Sequence, residues 1–182
     1  MATSAQTPES LQAKLGDGSL AGHWTLDPGR SSATLRSKSV WGLVTVKGTF
    51  GQLEGNGVIS PEGAASGSIK LAADSLDTKQ KKRDAHLRSA DFFHSDEHPH
   101  ITFTVDKVVP ADEGVTVSGT LAVRDRSRPI TFPATVGLAG DGEIALDATV
   151  QVDRSEFGLT WNQLGMSSMK NTIGIHAVFT KD

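Results

Sequence analysis

His94, His98 and His100 stand close to Asp91, Asp96 and Glu97, and imidazole with carboxylate is a ligand set for zinc or iron. The spacing argues against it. Pro99 interrupts the stretch, no helix carries it, and His98 shares a strand face with His100 only if His98 already lies in the strand. Surface histidines before a strand are the expectation, and no metal site is expected. Arg83-Asp84 and Asp153-Arg154 set opposite charges side by side. A guanidinium fork suits phosphate, yet a structural ion pair is the plainer use of Arg83 and Asp84. Adjacent strand positions point to opposite faces, so at most one of Asp153 and Arg154 faces an interior. Lys79, Lys81 and Lys82 read as a solvated helix face. There is no glycine-rich phosphate loop, no His-Glu-x-x-His, no nucleophile elbow and no cysteine. Ser, His and Asp without known geometry make no triad, so no catalysis is expected.

The elements that must position these groups are mostly strands. From Trp24 onward apolar residues alternate with polar ones, the period of strands with one buried face. Ile101, Phe103 and Val105 alternate with Thr102, Thr104 and Asp106; Val115, Val117, Gly119, Leu121 and Val123 follow the same rule. It continues through Ile130 to Leu138 and, after the turn Gly140-Asp141-Gly142, through Ile144 to Val152 and Ile173 to Phe179. Earlier strands are read at Ala33 to Ser39, Val44 to Leu53, Gly57 to Ile59 and Ser66 to Ala73. Thr78 to Ser89, with its charge run, is expected as the only substantial helix. Thr7 to Gly16 carries a capping Thr, a Pro at the first helical position and a terminating Gly, which predicts a helix of two turns at best. Such a helix is marginal alone, so Leu11 and Leu15 should pack over one barrel end.

A meander of this kind must hide an apolar face and its unpaired edges, and closure into a barrel does both. The fold class is therefore all-β, a closed antiparallel barrel of about eight strands, with one short helix in a connection and a short N-terminal helical arm, and an open sandwich is the alternative that the pattern leaves. The expected division is an arm over residues 1–21 and a barrel domain over 22–182. Strands of ~10 residues rise roughly 33 Å, so the wall is tall even at a tilt of ~40°. The inward positions mix Ala33, Ala134, Ala148, Ala177 and Gly119 with larger residues. That mixture fits an open cavity, and equally a solid core of interdigitated large and small side chains.

Composition adds limits. With 37% hydrophobic residues, 21% charged and a net charge of −3, the chain has no nucleic-acid footprint. Without cysteine it is compatible with a reducing cytoplasm. Met1 to Gly22 is polar rather than leader-like, and no stretch is long and apolar enough to span a bilayer. A cytoplasmic location is expected.

The string Arg83-Asp84-Ala85-His86-Leu87-Arg88, Asp91-Phe92-Phe93 and Pro99-His100-Ile101-Thr102-Phe103 resembles the YceI family pattern. Trp24-x-Leu26-Asp27-Pro28, Gly48-x-Phe50, Ser75-Leu76-Asp77-Thr78, Gly119-x-Leu121 and Asp153-Arg154-Ser155-x-Phe157-Gly158-Leu159 extend the likeness from about Gly22 to the C-terminus. The resemblance implies a lipocalin-like barrel, usually dimeric, that binds isoprenoid chains such as polyprenyl phosphates or quinones, or other long amphiphiles such as fatty acids. The sequence departs from it at Lys38-Ser39, where many relatives place His after the basic residue, so a different headgroup end is expected around Ser39. On this reading Leu35, Phe103, Leu121, Phe132 and Leu146 contact an apolar tail, while Trp41, Phe92, Phe93, Phe157 and Trp161 close the cavity. Arg83, His86 and Arg154 are the headgroup candidates. Adjacent aromatics after a helix also plug barrel ends as core. The expected role is carriage or sequestration of an isoprenoid or other long apolar ligand, without a cofactor. The rivals are an enzyme using His86, Asp84 or Asp153 on a lipophilic substrate in the same cavity, and a solid-cored interaction protein.

Overall fold

The computed structural model describes residues 4–5, 8–112 and 114–182. In order these form β1 (Ser4–Ala5), α1 (Pro8–Gly16), β2 (Gly22–Leu26), β3 (Ser32–Ser39), β4 (Val44–Phe50), β5 (Leu53–Ile59), β6 (Ala65–Ala72), β7 (Leu76–Asp77), α2 (Lys81–Arg88), β8 (His100–Ala111), β9 (Gly114–Val123), β10 (Arg126–Ala139), β11 (Glu143–Asp153) and β12 (Lys170–Lys181). The cap expected of Thr7 lies outside the described residues. No helix among them is long and apolar enough to cross a membrane.

Eight strands close a ring. Antiparallel pairing runs β2-β5-β6-β8-β9-β10-β11-β12 and returns to β2. β12 pairs β2 at its end (Phe179↔Leu26) and β3 along its first half (Asn171↔Ser37 to His176↔Ser32). β2 and β3 thus act as one strand, broken by the 3-10 turn Pro28–Arg30, where the Asp27 carboxylate accepts the Gly29 N–H. The expected single strand Val44 to Leu53 also breaks, at Gly51 and Gln52. Gly51 N–H turns to Ser75 O, and Gln52 O accepts Ala72 N–H. β4 accordingly pairs β3 on one side and the short β7 on the other.

Alternation in β9 buries Val115, Val117, Leu121 and Val123. Gly119 completes that row because a Cβ there would lie 2.8 Å from the Phe103 ring and 2.1 Å from Thr104 O. Between Val105 and Lys107 the β8–β9 register shifts, a bulge after which Val108 takes the inward place.

The ends differ. At one, α1 packs Leu11 and Leu15 with Leu20 against Trp24, Val115, Val117 and Ala134, and the Trp24 indole N–H donates to Leu20 O at 3.0 Å. At the other, α2 and the chain up to β8 lie across the opening, with Leu87 and Phe93 packed on the core. α2 begins at Lys81, later than Thr78, and at eight residues it is shorter than the nine-residue α1, so it is not the only substantial helix. The physical reason is Thr78, which is held in the loop by both Asp84 and Arg83.

Candidate functional site

The barrel interior is open rather than packed solid. An inner chamber of about 190 Å³ lies between Trp24, Ile69, Phe103, Phe132, Ala148 and Phe179, and a second of about 510 Å³ lies under α2. Leu71, Ile101, Leu121, Val152 and Ile173 line both, so the two chambers adjoin, one beyond the other, along the barrel interior, and together they are called the tunnel. Small-molecule pockets span ~300–1,000 Å³, and the tunnel is of that order. Among the described residues that line the inner chamber only Asn56, Ser66, Ser68 and Trp24 carry polar groups in their side chains, and the Trp24 indole N–H is already bonded. Phe103 and Phe132 meet there with centroids 5.4 Å apart.

The mouth chamber is chemically different. Arg154 opens the 3-10 turn Arg154–Phe157, and the whole residue is only 7% exposed. Its Nε donates to Ser168 O at 3.1 Å and its Nη1 to Leu159 O and Trp161 O, both at 2.8 Å. Nη2 is buried without a partner. The guanidinium lies 5.5 Å from the centre of the Phe92 ring. Burial draws its pKa below the ordinary arginine value, against the opposing pull of Asp153. Lys82, Arg83 and His86 share the chamber's wall, and among the described residues no carboxylate does.

Arg83 and Asp84 do not pair with each other, contrary to the expected ion pair. Both clasp Thr78: Arg83 donates to its Oγ1 (2.7 Å) and carbonyl (2.6 Å), while Asp84 accepts its N–H (2.9 Å) and hydroxyl. His86 Nε2 meets Asp91 Oδ2 at 2.9 Å, and its ring stands edge-on to Trp161 (4.2 Å) and Phe92 (5.2 Å). Asp153 stays outside the tunnel, its carboxylate accepting the Ser155 hydroxyl and N–H, which hold its pKa below the ordinary value.

These observations fix the class. A family model for the YceI-like domain matches residues 24–180. The chain belongs to the YceI-like family. Protein YceI of Escherichia coli O17:K52:H18 is 31% identical over 98 residues, 53% of this chain and 50% of that protein, so the chain spans about half the length of that relative. Among solved structures, Burkholderia cenocepacia BcnA gives a TM-score of 0.76 at 22% identity, over 84% of this chain and 98% of that one. A polyisoprenoid binding domain from Saccharophagus degradans gives 0.70 at 17% identity, over 87% and 98%. At these identities the likeness to the solved structures is one of fold.

In this YceI-like barrel Phe103, Phe132 and Leu146 line the inner chamber and Leu121 lines both. Leu35 is placed in the mouth chamber instead, because β3 borders only that end; Ser39, Phe92, Phe93, Phe157, Trp161, Arg83, His86 and Arg154 are there too. Phe93 is also core, edge-on to Phe50 at 6.4 Å. Trp41 is the exception. It is 66% exposed at the tip of the β3–β4 hairpin and off the tunnel wall, so it does not close the cavity. The histidine cluster regroups: a turn with His98 N–H on His94 O gathers His94, Glu97 and His98, their donor atoms within 4.8 Å of one another, and leaves out His100 in β8. The junction residues Leu71 and Ile101 were missed as site residues, although each sits at an inward position of a strand that alternation reveals, and they are register partners.

Proposed function

We propose that this protein binds a long apolar chain with its tail in the inner chamber and an acidic head in the mouth chamber, and carries or sequesters it without turnover. The observation behind this is the pair of adjoining chambers, hydrocarbon-walled within and cationic at the mouth. Burial drives entry: at ~0.3 kcal/mol per heavy atom a five-carbon isoprene unit adds about 1.5 kcal/mol until the tail outgrows the space. The Saccharophagus degradans domain is a polyisoprenoid binding domain, and an isoprenoid suits this tunnel on the same grounds. The orphaned Arg154 Nη2 favours an anionic head, a phosphate or carboxylate, over a quinone or an alcohol.

The test is uptake of a homologous series of prenyl phosphates and matched prenols, followed by native mass spectrometry. Affinity rising about tenfold per unit before levelling off, with phosphates ahead of prenols, is the expected result. Absence of uptake of any member, or affinity indifferent to chain length, defeats the reading.

A further inference from the structure

The rim of the mouth presents side chains that neither tunnel nor core uses. At the tip of the β3–β4 hairpin Trp41 and, beside it, Leu43 (84% exposed) face solvent, and on the neighbouring loop Leu164 is 78% exposed. The two loops form one surface, since Trp41 N–H donates to Met166 O at 3.0 Å and Ser168 N–H to Lys38 O at 2.9 Å. Met166 and Trp161 of that loop line the mouth chamber, as do Ser39 and Val46 at the base of the hairpin. The apolar fringe therefore stands on the lip of the opening.

Its backbone is as unusual as its exposure. Val40, Trp41 and Leu164 have φ of 51°, 52° and 53°. That left-handed region suits Gly or Asn and disfavours β-branched and bulky side chains. Hydrocarbon in water and strain in the chain oppose folding at the same residues, a combination found where side chains are held out for contact.

Charge identifies the contact. Leu35, Ser37, Val46 and Gly48 line the tunnel, so alternation sends Arg36, Lys38 and Lys47 to the outer face of the hairpin, and all three are exposed. Lys81 and Lys82 on α2 are exposed at the same mouth. Among the described residues none of these five is in an ion pair. In a chain of net charge −3 this basic rim is local. Tryptophan and leucine set among lysines is the chemistry of a headgroup–acyl boundary.

We propose that the rim docks the protein on an anionic bilayer, with Trp41, Leu43 and Leu164 entering the boundary and Arg36, Lys38, Lys47, Lys81 and Lys82 facing lipid phosphates. For its purpose the proposal rests on the ligand reading above, because a long apolar chain can then pass from bilayer to tunnel without crossing water. Its test does not depend on that reading.

The untagged full chain is sedimented with vesicles of phosphatidylcholine, with and without phosphatidylglycerol. Binding to the phosphatidylglycerol vesicles, weakened by salt and accompanied by a blue shift of tryptophan emission, is expected. Trp41→Asn with Leu164→Asn suits the left-handed backbone, keeps the Trp41 N–H bond to Met166 O and replaces no tunnel-lining residue; it should reduce vesicle binding on the order of tenfold or more while uptake of a prenyl phosphate from solution is unchanged. Arg36→Gln with Lys47→Gln should reduce vesicle binding on the order of tenfold. The proposal is overturned by sedimentation indifferent to phosphatidylglycerol or to both double variants. It is equally overturned if a second copy covers the rim, seen as a dimer that Trp41→Asn with Leu164→Asn dissociates and that binds no vesicle. Vesicle binding without prenyl phosphate uptake leaves docking standing and removes the ligand reading alone.

Discussion

A guanidinium taken out of water needs its charge answered as well as its hydrogens, and Arg154 has three carbonyl acceptors but, among the described residues, no carboxylate in an ion pair. Those carbonyls belong to Leu159, Trp161 and Ser168, so the side chain also holds the loop that forms one wall of the mouth. Arg154→Met should therefore act twice. It leaves buried acceptors unpaired, a loss of about 1–3 kcal/mol in urea unfolding, and it should erase the preference for prenyl phosphate over prenol. Inside the tunnel, Phe132→Asp should abolish uptake because an unpaired carboxylate would sit in a hydrocarbon chamber. Thr104→Asp on the outer face should not, and equal effects in native mass spectrometry would refute the assigned faces. Asp153 gives the pH dependence. Its folded pKa is depressed, first by the Ser155 hydroxyl, so its stabilising contribution is present above the ordinary carboxylate pKa and is lost as pH falls through the folded value. Asp153→Asn should thus be less stable than wild type at neutral pH, and the difference should shrink as pH falls below the ordinary carboxylate range, as read by urea midpoints.

What the sequence reveals at the level of elements follows from how local each cause is. The strands from β8 to β12 are legible because a buried face imposes a period of two, and β9 obeys it from Val115 to Val123. The break between β4 and β5 is not legible, since it depends on Ser75 and Ala72 arriving from elsewhere to take the backbone bonds of Gly51 and Gln52. The turn that gathers His94, Glu97 and His98 hides for the same reason. Its chain bonds run back to Arg88 and Ser89 at the end of α2, so the segment coils where a strand approach is expected. Gly119 shows a long-range demand written in a single residue: its missing Cβ makes room for the ring of Phe103 across the β8–β9 pair. Gly119→Ala should cost about 1–3 kcal/mol by overpacking, measured by urea unfolding, and the Phe103 ring should shift within the inner chamber.

For the molecule as a whole the asymmetry between its ends decides what the tunnel can hold. α1 and Trp24 pack over one end, whereas α2 lies by the larger chamber, so a guest that enters tail-first from the mouth runs toward the covered end. The inner chamber's volume, rather than the strength of any single contact, then sets the longest tail that still gains affinity. Ala148 tests this because it is half-buried on the chamber wall and a larger side chain there would grow into space, not into packed neighbours. A phenyl group adds six carbon atoms, about one isoprene unit of the tail's own volume. Ala148→Phe should therefore shift the chain length at which affinity levels off downward by about one unit, while chains short of that limit bind about as well as before at ~0.3 kcal/mol per heavy atom. If the limit stays where it is in wild type, the tail does not reach the inner chamber. A uniform loss across all lengths would instead mean that the substitution had deformed the barrel, and a wild-type urea midpoint separates the two results.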